Sequence, residues 1–275
     1  MNFMNRTNPI GFFDSGIGGL TVVKSVIELL PNENIVYFGD TARVPYGSKS
    51  NETVIEYTLQ AANFLLRKNI KLLVVACNTA SSVALKELKR FLTIPVIGMI
   101  EPGSKMALQE TKKGIIGVIG TRSTINNKAY SNEIKKLNPK VKVIEKACPL
   151  FVPLAEEGWI NHKATELIAK EYLTELKEKK IDTLVLACTH YPILSDVIQK
   201  VMGKNVKLVH SGDPAAKIIE EYLNGRGLRN NSNHLGKREF YVSDVPTKFH
   251  EVAERFLGKK ITHLQKVELE ELTNE

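Results

Sequence analysis

The chain has 275 residues, 43% of them apolar and 25% charged, an ordinary globular composition with room for two modest α/β domains or one large one. No apolar run approaches the roughly 18 residues that span a bilayer, and the polar stretch Met1–Asn8 lacks the apolar segment of a signal peptide. Three cysteines are too few and too scattered for a disulfide scaffold, and their odd number argues for a reducing compartment, so a cytoplasmic protein is expected. The net charge of +8 does not imply nucleic-acid binding. Lys and Arg alternate with Glu in helix-like segments such as 86–90 and 170–180, the pattern of a solvated helix face. No ladder of aromatic and basic residues accompanies them.

Short apolar runs and amphipathic segments alternate along the whole chain. Strands are expected at 9–13, 35–38, 72–76, 94–97, 115–119, 141–144, 183–187, 206–209 and 239–242. Between the first two, Leu20, Val23, Ile27 and Leu30 recur at helical spacing. Thr79 and Thr121 stand where helix N-caps are expected, and Pro192 suits the first turn of a helix. Such alternation predicts an α/β fold of βαβ units with mostly parallel sheets. Met99–Gly103 and His210–Pro214 have turn chemistry and mark the candidate boundaries. They divide the chain into a first domain of residues 1–100 plus 213–275 and a second, inserted domain of residues 101–212. The acidic tail beyond Lys266 is expected to fray.

Several segments carry candidate chemistry. Phe13-Asp14-Ser15-Gly16-Ile17-Gly18-Gly19-Leu20 reads as strand, glycine turn and helix. It is not a dinucleotide fingerprint, because the third glycine would fall on Thr21, and no Gly-Lys-Ser/Thr makes it a P-loop. What remains is a turn exposing backbone N–H groups, a generic anion cradle, with Asp14 open to a capping role. Asp40 to Gly47, ending Pro45-Tyr46-Gly47, reads as a loop offering amides and an aromatic wall; a purely structural loop is equally open. Phe151 to Trp159 sets Glu156 and Glu157 beside the one tryptophan.

The most informative feature is a repeat. Lys71-Leu-Leu-Val-Val-Ala-Cys77-Asn78-Thr79 recurs as Asp182-Thr-Leu-Val-Leu-Ala-Cys188-Thr189-His190, and Ile10–Gly16 is echoed more weakly by Ile116–Arg122. Each longer copy is a buried-strand pattern ending at a thiol, where open α/β sheets place their ligands. A lone cysteine of this kind is usually core packing; zinc and a redox disulfide lack CxxC spacing. A duplication that keeps one thiol per half favours a functional pair, while Cys148, without a counterpart, reads as packing. Two thiols facing one carbon suit inversion of a carbon acid, one removing a proton from one face and the other supplying it to the opposite face. His190 lies beside Cys188, and Asp14 is placed to assist Cys77, though a hydrogen-bonded core histidine remains an alternative for His190.

Asp14-Ser15-Gly16-Ile17-Gly18-Gly19, Gly39-Asp40-Thr41 with Pro45-Tyr46-Gly47, Ala76-Cys77-Asn78-Thr79, Gly120-Thr121, Pro153 to Gly158 and Ala187-Cys188-Thr189-His190 together resemble the glutamate racemases of the aspartate/glutamate racemase family. That resemblance spans residues 10 to about 216. It implies two α/β domains around a shared site and L-/D-glutamate interconversion that supplies peptidoglycan synthesis. It further implies no cofactor and no metal. Cys77 and Cys188 match the proton donor/acceptor pair, Asp14 and His190 the assisting groups, and Glu156 a supporting acid. Ser15, Tyr46, Gly47, Asn78, Thr79, Thr121 and Thr189, with Asp14 and His190, match substrate-contacting positions. Glutamate is the implied partner, with no nucleic acid or membrane, and a homodimer is the implied assembly. Arg43 and Arg122 are the only basic side chains in these segments to meet a carboxylate; otherwise hydroxyls and backbone amides must hold it. An aspartate racemase and a non-catalytic binder of acidic ligands are the rival readings.

Overall fold

A computed structural model describes residues 5–269 of the chain. The first part of the chain forms β1 (Ile10–Asp14), α1 (Leu20–Leu29), β2 (Ile35–Gly39), α2 (Asn51–Leu66), β3 (Leu72–Val75), α3 (Asn78–Val83), α4 (Leu85–Phe91) and β4 (Val96–Gly98). The middle forms α5 (Ile100–Glu110), β5 (Ile115–Gly120), α6 (Arg122–Asn126), α7 (Ala129–Leu137), β6 (Lys142–Ala147), α8 (Phe151–Glu156), α9 (Lys163–Glu178), β7 (Thr183–Ala187), α10 (Ser195–Met202) and β8 (Lys207–Val209). The chain closes with α11 (Gly212–Gly225), β9 (Arg238–Val242), α12 (Phe249–Leu257) and β10 (Leu264–Lys266).

Among the described residues these strands make two α/β domains, each built on one parallel sheet. The first sheet has the order β10-β9-β2-β1-β3-β4 and the second β6-β5-β7-β8. The repeat is therefore topological as well as local: β2-β1-β3-β4 and β6-β5-β7-β8 run in the same order, and Cys77 and Cys188 follow equivalent strands. Central strands β1, β2, β3 and β7 are buried along their whole length, which explains their unbroken apolar runs, since helices cover both faces of a parallel sheet.

The repeated segments also begin alike but anchor differently. Lys71, at the foot of β3, is buried and donates to Glu33 Oε2 at 2.6 Å and to the carbonyls of Arg6 and Leu228. Asp182, its counterpart at the foot of β7, accepts from Thr111 Oγ1 and the amides of Lys112 and Lys113. A buried charge needs such full pairing.

The nine expected strands all form, and a tenth, β10, joins the edge of the first sheet. Its polar Leu-Gln-Lys sequence carries no strand pattern, and its backbone pairing to β9 makes it a strand. Two turns differ from expectation. Met99–Gly103 and His210–Pro214 lead into α5 and α11, with Pro102 and Pro214 inside the first turn, where the missing N–H costs nothing. The N-cap of α3 is Cys77 rather than Thr79, whereas Thr121 does cap α6, accepting from the Thr124 amide. The tail expected to fray lies largely outside the described residues. Among the described residues no helix is long and apolar enough to cross a membrane.

Candidate active site

The carboxyl ends of the two sheets enclose a cavity of about 340 Å³, the size of a small-molecule site. Ser15, Tyr46, Gly47, Cys77, Asn78 and Thr79 line it from the first domain, and Thr121, Glu156, Cys188, Thr189 and His190 from the second. Of the expected site residues, Asp14 alone stands behind this wall. Val44, Pro149, Val152 and Pro153 add apolar surface to the cavity wall.

Both thiols are nearly inaccessible, Cys77 at 5% and Cys188 at 7% exposure. Cys77 donates to Ser15 Oγ at 3.3 Å, and its sulfur accepts from the Ala80 amide at 3.5 Å, inside the first turn of α3. Burial, reinforced by the neighbouring Asp14 charge, pushes the Cys77 thiol up to about 12, so it rests protonated at neutral pH. Cys188 Sγ lies 3.9 Å from His190 Nδ1, and His190 Nε2 lies 2.8 Å from Glu156 Oε1. Burial opposes charge on this imidazole, but the bonds to Cys188 and Glu156 prevail and raise it to about 10. The result is a chain of three groups, carboxylate, imidazole and sulfur, along which a proton can be held or moved.

Asp14 ends β1 fully buried. Its carboxylate accepts from the Gly16 amide at 3.0 Å and from Thr189 Oγ1 at 3.4 Å, so it reaches the loops of both halves. Burial raises its pKa from the usual carboxylate range against the opposing pull of His190 and the Gly16 and Gly19 amides. The glycine turn fits tightly around it. A Cβ at Gly19 would sit 2.5 Å from Asp14 Cβ, and one at Gly18 would sit 2.3 Å from Thr189 Oγ1. Thr21 Oγ1 adds a bond to Thr189 O at 3.0 Å across the domain junction. The turn that resembled an anion cradle is thus also the joint between the domains.

The hydroxyls of Thr79, Thr121 and Thr124 form a triangle, with contacts of 2.9 to 3.2 Å, that joins α3 to α6 across the cleft. Asn78 is fixed by Tyr130, whose hydroxyl donates to its side-chain oxygen at 2.7 Å, and by Ser211 at 3.4 Å. Tyr46 is held by Asp40 at 2.5 Å, and Asp40 also receives Ser243 and Arg43. These supports, Thr124, Tyr130, Ser211 and Ser243, carried no signal in the sequence, because each acts on a residue distant along the chain. Arg43 is committed to Asp40 and Gln60 and stacks on Tyr57, whereas Arg122 borders the cavity. Cys148 is fully buried, with Sγ near Lys146 O at 3.7 Å, consistent with packing. Among the described residues no cluster of three or more His, Cys, Asp or Glu is arranged to hold a metal ion.

Residues 12–219 match the Asp/Glu/hydantoin racemase family. The chain is 53% identical over 261 residues to the glutamate racemase of Geobacter metallireducens, covering 95% of this chain and 97% of that protein. It is 50% identical over 267 residues to the glutamate racemase of Chlorobaculum tepidum, covering 97% of each. Among solved structures, glutamate racemase isoform RacE1 of Bacillus anthracis superposes with a TM-score of 0.93 at 38% identity, covering 96% of this chain and 99% of that one. The Francisella tularensis glutamate racemase in complex with D-glutamate gives 0.90 at 42% identity, covering 96% and 98%. The duplicated sheets, the paired thiols in one cavity and these similarities place the chain in the Asp/Glu/hydantoin racemase family, among the glutamate racemases, which are isomerases.

Proposed function

We propose that the protein interconverts L- and D-glutamate by direct proton transfer at Cα between Cys77 and Cys188, and so supplies D-glutamate to peptidoglycan synthesis. The observation that carries this reading is the placement of two thiols, one from each sheet, on one small cavity. In one direction a thiolate takes the Cα proton, the electron pair remains on Cα as a carbanion conjugated with the carboxylate, and the other thiol delivers its proton to the opposite face. The thiol that gave its proton ends as the thiolate, so the reverse reaction starts from the product state. Cys77, held protonated by burial and by Asp14, is the donor of the resting enzyme. Cys188 is its base, with His190 placed to take the sulfur's proton and Glu156 as the carboxylate that holds the imidazole. Asp14 serves Cys77 when the direction reverses. These residues account for the whole step, so we propose that it needs neither cofactor nor metal.

Ser15, Asn78, Thr79, Thr121 and Thr189, with backbone amides of Gly47 and the turn after β1, are the proposed contacts for the two substrate carboxylates. Tyr46 walls the site. The same reading divides the chain at residues 100 and 213 and assembles it as a homodimer. The deciding experiment offers L-glutamate, D-glutamate, both aspartate enantiomers and other small amino acids without added cofactor and follows enantiomer formation by chiral chromatography. Glutamate racemised in both directions and preferred over aspartate is expected. A preference for aspartate, or binding of glutamate without turnover, would overturn the proposal in favour of its rivals.

A further inference from the structure

Helix α12 lies beyond the 12–219 segment that matches the family, yet it bears directly on the relay beside Cys188. Arg255 Nη1 donates to the carbonyls of Ala155 and Glu156, at 3.3 and 3.1 Å, at the end of α8. Helix-terminal carbonyls lack intrahelical partners, and a basic side chain is well suited to take them. Gly158, with φ of +74°, turns the chain away just beyond, and a Cβ there would lie 2.8 Å from the guanidinium. Arg255 Nη2 is oriented in turn by Glu251 Oε1 at 2.8 Å. The next residue, Phe256, is buried and meets the His190 ring edge-on, with centroids 5.2 Å apart and planes at 75°.

These contacts matter because α8 has only six residues, too few to be rigid alone. Its last residue must nevertheless hold a carboxylate, 38% exposed, at 2.8 Å from His190 Nε2. We infer that Arg255 and Phe256 are positioning residues of the racemase: α12 grips the end of α8 and the face of His190, keeping Glu156, His190 and Cys188 in line. This rests on the reading of Glu156 and His190 as the helpers of Cys188. The charged or titratable groups facing His190 are Cys188 from its own loop, Glu156 from α8 and Asp14 from β1. From α12 the ring meets uncharged Phe256, while Arg255 sits behind the α8 carbonyls.

The test compares wild type, Arg255→Met and Arg255→Lys. Racemisation is measured in both directions, and the His190 ring is titrated by NMR in the substrate-free protein. Loss of Glu156 from the ring would let the His190 midpoint fall from about 10 toward 6.5 in Arg255→Met. The expected kinetic effect is a roughly 10- to 100-fold lower kcat with little change in KM, as for a displacement of up to about 1 Å in a reacting group. Because the two enantiomers are equal in free energy, kcat/KM must fall by the same factor in both directions. Arg255→Lys, which keeps a cationic donor, should recover most of both. If Arg255→Met fails to fold, Phe256→Leu keeps the apolar volume, removes the edge-on ring and should lower kcat likewise. An unchanged midpoint with normal kcat overturns the inference. So does a rising midpoint, which is what removing a nearby positive charge would cause by electrostatics alone. Should wild type not racemise glutamate while the midpoint still falls in Arg255→Met, the clamp stands and the substrate reading fails.

Discussion

A methyl group at position 18 would lie 2.3 Å from Thr189 Oγ1, 2.5 Å from His190 Nδ1 and 2.6 Å from His190 Cε1. Non-bonded heavy atoms settle at about 3.5 Å or more, so Gly18→Ala demands a retreat of about 1 Å. The Thr189 hydroxyl can rotate aside. The His190 ring cannot, because Cys188, Glu156 and Phe256 hold it on three sides. Gly18 does not use a left-handed backbone, so alanine is conformationally acceptable there and the cost is steric. Overpacking of this kind costs about 1–3 kcal/mol of stability, which denaturant unfolding would register. The catalytic cost is larger in proportion, because the displaced loop carries Cys188. A misplacement of about 1 Å at the reacting groups lowers turnover by about 10²-fold, equivalent to about 2.7 kcal/mol in the barrier. Racemisation rates in both directions provide the assay. A Gly18→Ala enzyme within about twofold of wild-type kcat would refute the idea that this junction sets the position of the Cys188 loop.

Other predictions follow from the same geometry. Cys77→Ala and Cys188→Ala should each abolish racemisation in a folded protein, while Cys148→Ala, in a packed site, should keep most activity and lose about 1 kcal/mol of stability; an active Cys77 or Cys188 variant would break the pairing. Asp14→Asn and His190→Asn should each lower turnover by roughly 10²–10⁴-fold. In solvent-exchange experiments they should show opposite bias in which enantiomer loses its α-proton faster, and equal impairment in both would argue against separate helpers. Stability should also depend on His190. Its folded pKa, about 10, lies above the ordinary value of 6.5, so its contribution is complete below about pH 6.5 and is lost as pH rises through about 10. Melting curves of wild type and His190→Asn should therefore converge over that interval, and a constant difference would contradict the raised value.

Much of this molecule was legible before folding because its signals are local. Apolar runs such as Leu72–Val75 and Thr183–Ala187 are long enough for a strand and too short for a helix. Fully buried parallel strands need nothing else to be recognised. The two thiols announced themselves by ending matched runs, and Asp14, Asn78, Thr121 and His190 lay within a few residues of such strand ends. What the linear chain could not show depends on how separate elements pack, within a domain and between the two. The contact between Gly18 and His190, the bond from Glu156 to His190, the threonine triangle of 79, 121 and 124, and the grip of Arg255 on α8 each join residues far apart in sequence. No periodicity marks them, because none is made within one element. The same reason hid β10, whose polar residues become a strand only through pairing with β9. Local composition determined the strands and the thiols at their ends; tertiary packing decided which distant groups hold the residues beside those thiols, because proton transfer depends on distances of a few ångström between separate elements.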